Sequence, residues 1–412
     1  MSILKPIAGY RPSLAEAKNV PSPPYDVLNT AEAIELAKGN PSSFLHVIRP
    51  EIDLPEGTDL HADEVYAKGA ENLNNMIRTG VLVKDDTPSL YIYRQVMGEH
   101  SQVGIVGGAS VDEYNNDLIK KHELTRQDKE DDRTRHVDTM NANAGPVFLT
   151  YKADNVIDSL VADVIKNQQP DADFIAEDGI AHTLWRIDGE VVTKLTEQFK
   201  QVSALYVADG HHRSASAARV GLKRQEQYPN ASTDAPWNYF LAVCFPDNQL
   251  NCIDYNRVVL DLNNLSKSKF LEKVSEKFNC QETSSPKPSQ CTEFGMYLDG
   301  QWYKLQAKEG TFPAQDPVES LDVSILQNNL LNPILGIEDP RTSKRIDFVG
   351  GIRGLTELEK RVANDAEVAF ALYPTTIEQL MAIADAGKIM PPKSTWFEPK
   401  LRSGMVVYKL ED

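Results

Sequence analysis

A mixed α+β fold is what this chain predicts, on three observations. Residues 89–97 and 103–110 are two strand-like runs joined by the polar link Gly98-Glu99-His100, the pattern of a β-hairpin. Strand and helix patterns alternate along the rest of the chain, and the hairpin argues against a purely parallel sheet. The length of 412 residues exceeds one ordinary hydrophobic core and predicts two or three domains or subdomains. Polar stretches at 261–268 and 281–291, the second with two prolines, place the boundary near residue 260. This divides the chain into 1–260 and 261–412, the latter an additional α/β subdomain.

The elements follow in order. Pro21, Pro23 and Pro24 stiffen a loop leading into Tyr25-Asp26-Val27. Residues 31–38 are good helix formers, with Thr30 as the expected cap and Gly39-Asn40 as the stop. Residues 44–48 (FLHVI) read as a strand, and residues 62–79 as an amphipathic helix stopped at Gly80. Thr125 followed by Asp128 is a capping-box pattern for a helix over 126–140. That helix is polar almost all round, as solvated or bridging helices are. A strand at 147–151 and a helix at 155–167 come next, then a hairpin-like stretch over 182–192. Residues 202–208 (VSALYVA) form a buried strand, Asp209-Gly210 turns, and a helix of small residues runs over 213–227. Residues 239–245 are a second buried strand. Beyond 260 we expect a helix at 321–332, a segment 345–349 leading into Gly350-Gly351, a strand at 368–373, and a helix capped by Thr376 and ended by Gly387. A proline-aromatic loop, MPPKSTWFEPK, precedes a last strand.

Composition narrows the function classes. A net charge of -17 repels polyphosphate backbones and argues against nucleic acid as the main partner. It does not exclude one small anion, which needs only a few local donors. The four cysteines form no C-x-x-C pair, which fits a reducing compartment and provides no zinc spacing. The N-terminus lacks the long apolar stretch of a signal peptide, and no run approaches the ~20 apolar residues of a membrane helix. Cytoplasm is the residual expectation, without membrane association. Oligomeric state stays open, a homodimer included.

The chemistry concentrates in Asp209-Gly210-His211-His212-Arg213. A strand, a glycine turn and a helix start are the parts of an anion site. The first helical amides have no internal acceptor, and the dipole favours negative charge there. Gly210 lets the backbone come close, while Ser214, Ala215 and Ser216 keep the first turn slim. His211, His212 and Arg213 add donors, and Arg213 can fork onto two oxygens. Asp209 can hold magnesium, orient a histidine or accept a proton. The bland alternative for Asp209-Gly210 is a simple turn. Adjacent histidines at a helix start point about 100° apart, so a shared zinc is not expected, and H-E-x-x-H is absent.

The segment VADGHHRSASA resembles the phosphate-binding motif of the ParB/sulfiredoxin-like superfamily, which includes free-serine kinases with D-G-H-H-R. The whole chain is similar to an uncharacterised-domain family some of whose members are ATP-dependent serine kinases. PPYDV, KHE and MPPKSTWFEPK are further landmarks of that resemblance. It implies a ParB/sulfiredoxin-like mixed-sheet core with insertions. It implies that Glu123, in the pair His122-Glu123, is the base on the substrate hydroxyl, and that Asp209 is also needed. It implies that Gly210, His211, His212 and Arg213 bind the transferred phosphate, which we expect to lie on the turn from Gly210 to Ser214. A cysteine replaces the first histidine in sulfiredoxins, so sulfinic-acid reduction is not implied here.

The resulting expectation is a phosphotransferase moving the terminal phosphate of ATP, with Mg2+, to a small hydroxyl metabolite. By resemblance the acceptor is free L-serine. Its catalytic residues are Glu123, Asp209 and His212; Tyr25, Asp26, His122 and Lys393 are candidate substrate contacts, and Asp209 a candidate magnesium ligand. The alternatives are a nucleotide or phosphometabolite sensor and a nucleotide hydrolase. Taken without the resemblance, Glu123 reads as a surface glutamate beside a charged helix.

Overall fold

A computed structural model describes residues 2–411. It divides into two compact units: Met1–Leu250 with Pro399–Asp412, and Asn251–Glu398. The expected cut at 260 falls inside the second unit, and the last residues of the chain belong to the first. Their anchor is a short antiparallel pair, Tyr408–Lys409 against Ala142–Asn143.

The first unit is built on a nine-stranded mixed sheet. Its strands are β1 (Leu4–Lys5), β2 (Leu90–Met97), β3 (His100–Ser110), β4 (Ile119–Lys120), β5 (Val147–Tyr151), β6 (Ala172–Ile175), β7 (Ala181–Ile187), β8 (Leu205–Asp209) and β9 (Tyr239–Pro246). The order is β4-β8-β5-β9-β3-β2-β7-β6, with β1 added beside β3. The hairpin β2–β3 forms as the sequence predicts, pairing Met97 with His100 across a turn in which Gly98 has φ 59°. Two pairings are parallel, β9 with β5 and β8 with β4. Leu149, Val207, Leu205, Phe240 and Trp185 lie in the core cluster that covers this sheet. β8 is buried through Ala208 because its run of apolar residues lies between two neighbours.

The second unit carries a six-stranded antiparallel sheet, with the central strands Glu293–Leu298, Val368–Leu372 and Tyr255–Val259. Its helix Ile377–Asp385 begins at Thr376 in a full capping box, as predicted.

Several local expectations are corrected. Residues Leu45–Ile48 form a helical turn, not a strand. So short a run, three apolar residues around His46, has no decisive period, and here it packs with Phe44, Val20, Leu73 and Met76. The helix Thr30–Ala37 is capped by Asn29, not Thr30: the Asn29 side chain accepts from Glu32 N–H, and Glu32 reaches back to the Asn29 amide. The stretch 182–192 is no hairpin. β7 ends at Ile187, Gly189 takes φ 68°, and the amphipathic helix Glu190–Phe199 follows.

Helix α1 (Gln127–Met140) has no side-chain cap from Thr125, whose hydroxyl instead donates to Glu130 at 2.6 Å. Its polar surface is not simply solvated. It lies along α2 (His211–Gln227) through ion pairs, Arg219 with Asp131 at 2.7 Å and Lys223 with Asp138 at 2.6 Å. Only His136 and Met140 of this helix are buried.

No helix among the described residues is long and apolar enough to cross a membrane. The four cysteines are free thiols.

Candidate functional site

The site is a product of strand direction. β4 and β8 are parallel, with Ile119 opposite Leu205 and Lys120 opposite Tyr206. Their C-terminal ends therefore emerge side by side, where open sheets present ligand sites. His122 and Glu123 leave one end and the Asp209 segment leaves the other. On its other side β8 pairs with β5 through an irregularity between Val207 and Asp209. Such bulges re-aim side chains beside functional sites.

Gly210 turns the chain. Its φ is 93° and ψ 32°, a left-handed conformation that favours glycine. The Arg213 side chain folds back over it, so a Cβ at 210 would lie 3.1 Å from Arg213 Nε. Helix α2 starts at His211, two residues before the expected start. Its first internal bond runs from Ser214 N–H to the Gly210 carbonyl at 2.9 Å. The cap has no side chain, so the amides of His211, His212 and Arg213 have no capping acceptor. Ser214, Ala215 and Ser216 are buried, which lets the first turn sit close against the sheet.

Charge is fixed at this corner. Lys400 Nζ lies 3.1 Å from Asp209 Oδ2, and Asp209 Oδ1 accepts the Gly210 amide at 2.8 Å. Arg213 stands 3.9 Å from Asp209 and donates to the Pro146 carbonyl. Burial pushes the Asp209 carboxyl upward, but Lys400 and Arg213 outweigh it and hold it well below the usual carboxylate range. Burial works against the Arg213 charge as well, yet Asp26 and Asp209 keep its affinity for the proton above the ordinary value. Asp209 does not fit as a magnesium ligand in this arrangement, because both oxygens are engaged beside two cations. No step through magnesium on Asp209 follows.

The two motif histidines diverge, as the helical angle requires. His211 is buried, and its ring stands edge-on to His122, with centroids 4.5 Å apart and planes at 87°. Its Nδ1 lies 3.9 Å from Glu123 Oε2. Burial lowers His122 to about 4 and takes His211 well below its ordinary value, so both rings are neutral at pH 7. His212 points the other way and accepts the Arg126 amide on Nε2 at 3.1 Å. That bond pins the 122–126 loop to the start of α2. The two imidazoles therefore face different neighbours, His211 the His122 ring and His212 the Arg126 amide.

Of the other candidates, Tyr25 stacks under the Arg133 guanidinium at 4.2 Å and lines a narrow cleft with Arg213, His136 and Ser403. Burial raises Tyr25 to about 12. Asp26 is exposed, and its charge is felt by both Arg213 and His212. Lys393 belongs to the second unit, where its Nζ lies 5.7 Å from the Tyr255 ring and its carbonyl accepts from Arg257 at 2.8 Å. Lys400 was missed by sequence reasoning. It ends the MPPKSTWFEPK landmark, and only its distance from Asp209 distinguishes it from Lys393.

Residues 4–324 match the family described as "Protein of unknown function (DUF1015)". The chain belongs to the DUF1015 family. Among curated proteins none matches it. Among solved structures this DUF1015 chain is similar to a free serine kinase in complex with AMP, at 13% identity and TM-score 0.35, covering 71% of this chain and 86% of that one. It is also similar to SbnI with a C-terminal truncation from Staphylococcus aureus, at 10% identity and TM-score 0.37, covering 72% and 85%. A conserved hypothetical protein from Pyrococcus furiosus matches at 14% identity and TM-score 0.35, covering 74% and 95%.

Proposed function

We propose that the first unit is a phosphotransferase with a ParB/sulfiredoxin-like core, which moves the terminal phosphate of ATP to the hydroxyl of a small metabolite. The observation that carries this reading is the corner itself: an uncapped helix start under a fixed guanidinium, with a half-exposed carboxylate, Glu123, beside it. The free amides of His211, His212 and Arg213 hold the terminal phosphate, and the Arg213 guanidinium offsets its charge. Glu123 takes the proton from the acceptor hydroxyl. The hydroxyl oxygen bonds to phosphorus as the bond from phosphorus to the bridging oxygen breaks, leaving ADP. Phosphoryl transfer needs mainly such positioning and charge compensation. Asp209 and Lys400 hold the Gly210 turn, and His212 positions the Glu123 loop through Arg126. Tyr25 and Asp26 form a stiff edge on the Arg213 side.

The D-G-H-H-R resemblance supports free L-serine as the acceptor. Purified full-length chain with ATP, magnesium and L-serine is expected to yield O-phosphoserine and ADP in equal amounts, read by mass spectrometry. ADP release without a phosphorylated acceptor would make the protein a nucleotide hydrolase. Nucleotide binding with no turnover over a panel of hydroxyl metabolites would make it a sensor.

A further inference from the structure

We propose that His122, Glu123 and His211 form a binding site for a divalent transition-metal ion of the zinc class. Each residue offers one ligand atom, and the three atoms lie within 4.8 Å of one another. Two imidazoles and one carboxylate with an open fourth position are a donor set that zinc accepts.

A second observation points to a ligand. His122 is 1% exposed, and neither of its ring nitrogens has a hydrogen-bond partner. The Val207 carbonyl faces the ring without forming a bond of normal geometry. His211 is 5% exposed, and its Nε2 is also without a partner. Buried polar atoms are nearly always satisfied. On each of these two touching rings one nitrogen carries a lone pair that a metal ion would take up.

The Glu123 carboxylate offsets part of the ion's charge. The nearby cations Arg213 and Lys400 are turned to Asp209. Zinc ligands at about 2.0–2.1 Å from the metal stand roughly 3.3 Å apart, so the site must tighten. Glu123 can do this, since its side chain is 40% exposed and sits on a loop. Magnesium prefers oxygen ligands and does not suit two imidazoles.

The site stands independently of phosphotransfer, because the ion would bind whether or not phosphate moves. If both hold, the ion and the acceptor proton draw on one carboxylate, so the metal-loaded and transfer-competent forms are alternative states of the same corner.

The test strips the protein with a chelator and titrates it with Co2+, whose visible d–d bands report coordination geometry, followed by Zn2+ competition. A single equivalent with tetrahedral bands, displaced by Zn2+ and not by Mg2+, is expected. Glu123→Gln and His122→Ala should each weaken binding at least about tenfold, whereas His61→Ala, at an exposed position, should leave it unchanged. Zn2+ should raise the melting temperature of the wild type and not of Glu123→Gln, a size-conserving change at a half-exposed side chain. No d–d bands, or equal affinity in wild type and both ligand variants, overturns the proposal. These readouts need no turnover, so they fail or succeed separately from the phosphotransferase assay.

Discussion

Lys400 Nζ and Asp209 Oδ2 meet at 3.1 Å across 191 residues of sequence, and this pair ties the C-terminal segment of the first unit to the turn before α2. Both side chains are partly shielded, at 20% and 28% exposure. Removing the ammonium leaves a partly desolvated carboxylate with only Arg213 beside it. Lys400→Met is expected to destabilise the protein by about 1–2 kcal/mol, between the exposed and the buried ion-pair cases. Urea denaturation checks the loss. In a double-mutant cycle with Asp209→Asn the two effects should be non-additive; strict additivity would show that the pair does not couple.

Glu123→Gln removes the proton acceptor and keeps the size of the side chain. Acceptor phosphorylation should fall by about 10²–10⁴-fold, with nucleotide affinity near wild type by calorimetry. A wild-type rate removes Glu123 from the mechanism.

Gly210→Ala places a Cβ in a backbone conformation with φ 93° and 3.1 Å from Arg213 Nε. The left-handed geometry alone costs about 1–2 kcal/mol for a residue with a side chain. The guanidinium must also move, so phosphate or nucleotide affinity should drop along with stability. Thermal melts with and without ATP separate the two effects, and a variant with unchanged melts would contradict the geometry.

In the second unit, Asp322 is buried, with one oxygen accepting the Thr292 amide at 2.8 Å and the other without a partner. Burial raises it from 3.8 to about 7, against the Thr292 hydrogen bond. The folded state thus holds a proton that the unfolded chain releases earlier. The stabilisation is full below the unfolded value and is lost as pH rises through that window, at roughly 1.4 kcal/mol per unit. Asp322→Asn has no such proton to lose. Its stability relative to wild type should climb between pH 4 and 7 and level off above, as measured by denaturant unfolding at several pH values. A difference that does not change with pH would refute the ionisation.

The strand from Leu205 and the turn at Gly210 are legible in the sequence, because each signal there is local. An apolar run needs a buried strand, a glycine suits the left-handed turn, and small residues allow a close helix start. The run at Leu45–Ile48 shows the opposite case. Three apolar residues around His46 carry no decisive period, and packing against Phe44 and Leu73 made them helical.

The sequence by itself determined a mixed α+β chain with hairpins and an anion-ready corner at Gly210, since propensity, turn chemistry and apolar pattern act over a few residues. Only the tertiary structure decided that Glu123 and His122 stand against His211, that His212 turns to the Arg126 amide, and that Lys400 rather than Lys393 reaches Asp209. Those partners are 86 to 191 residues apart. Their meeting follows from the parallel register of two short strands and the return of the chain's end, which no local pattern encodes.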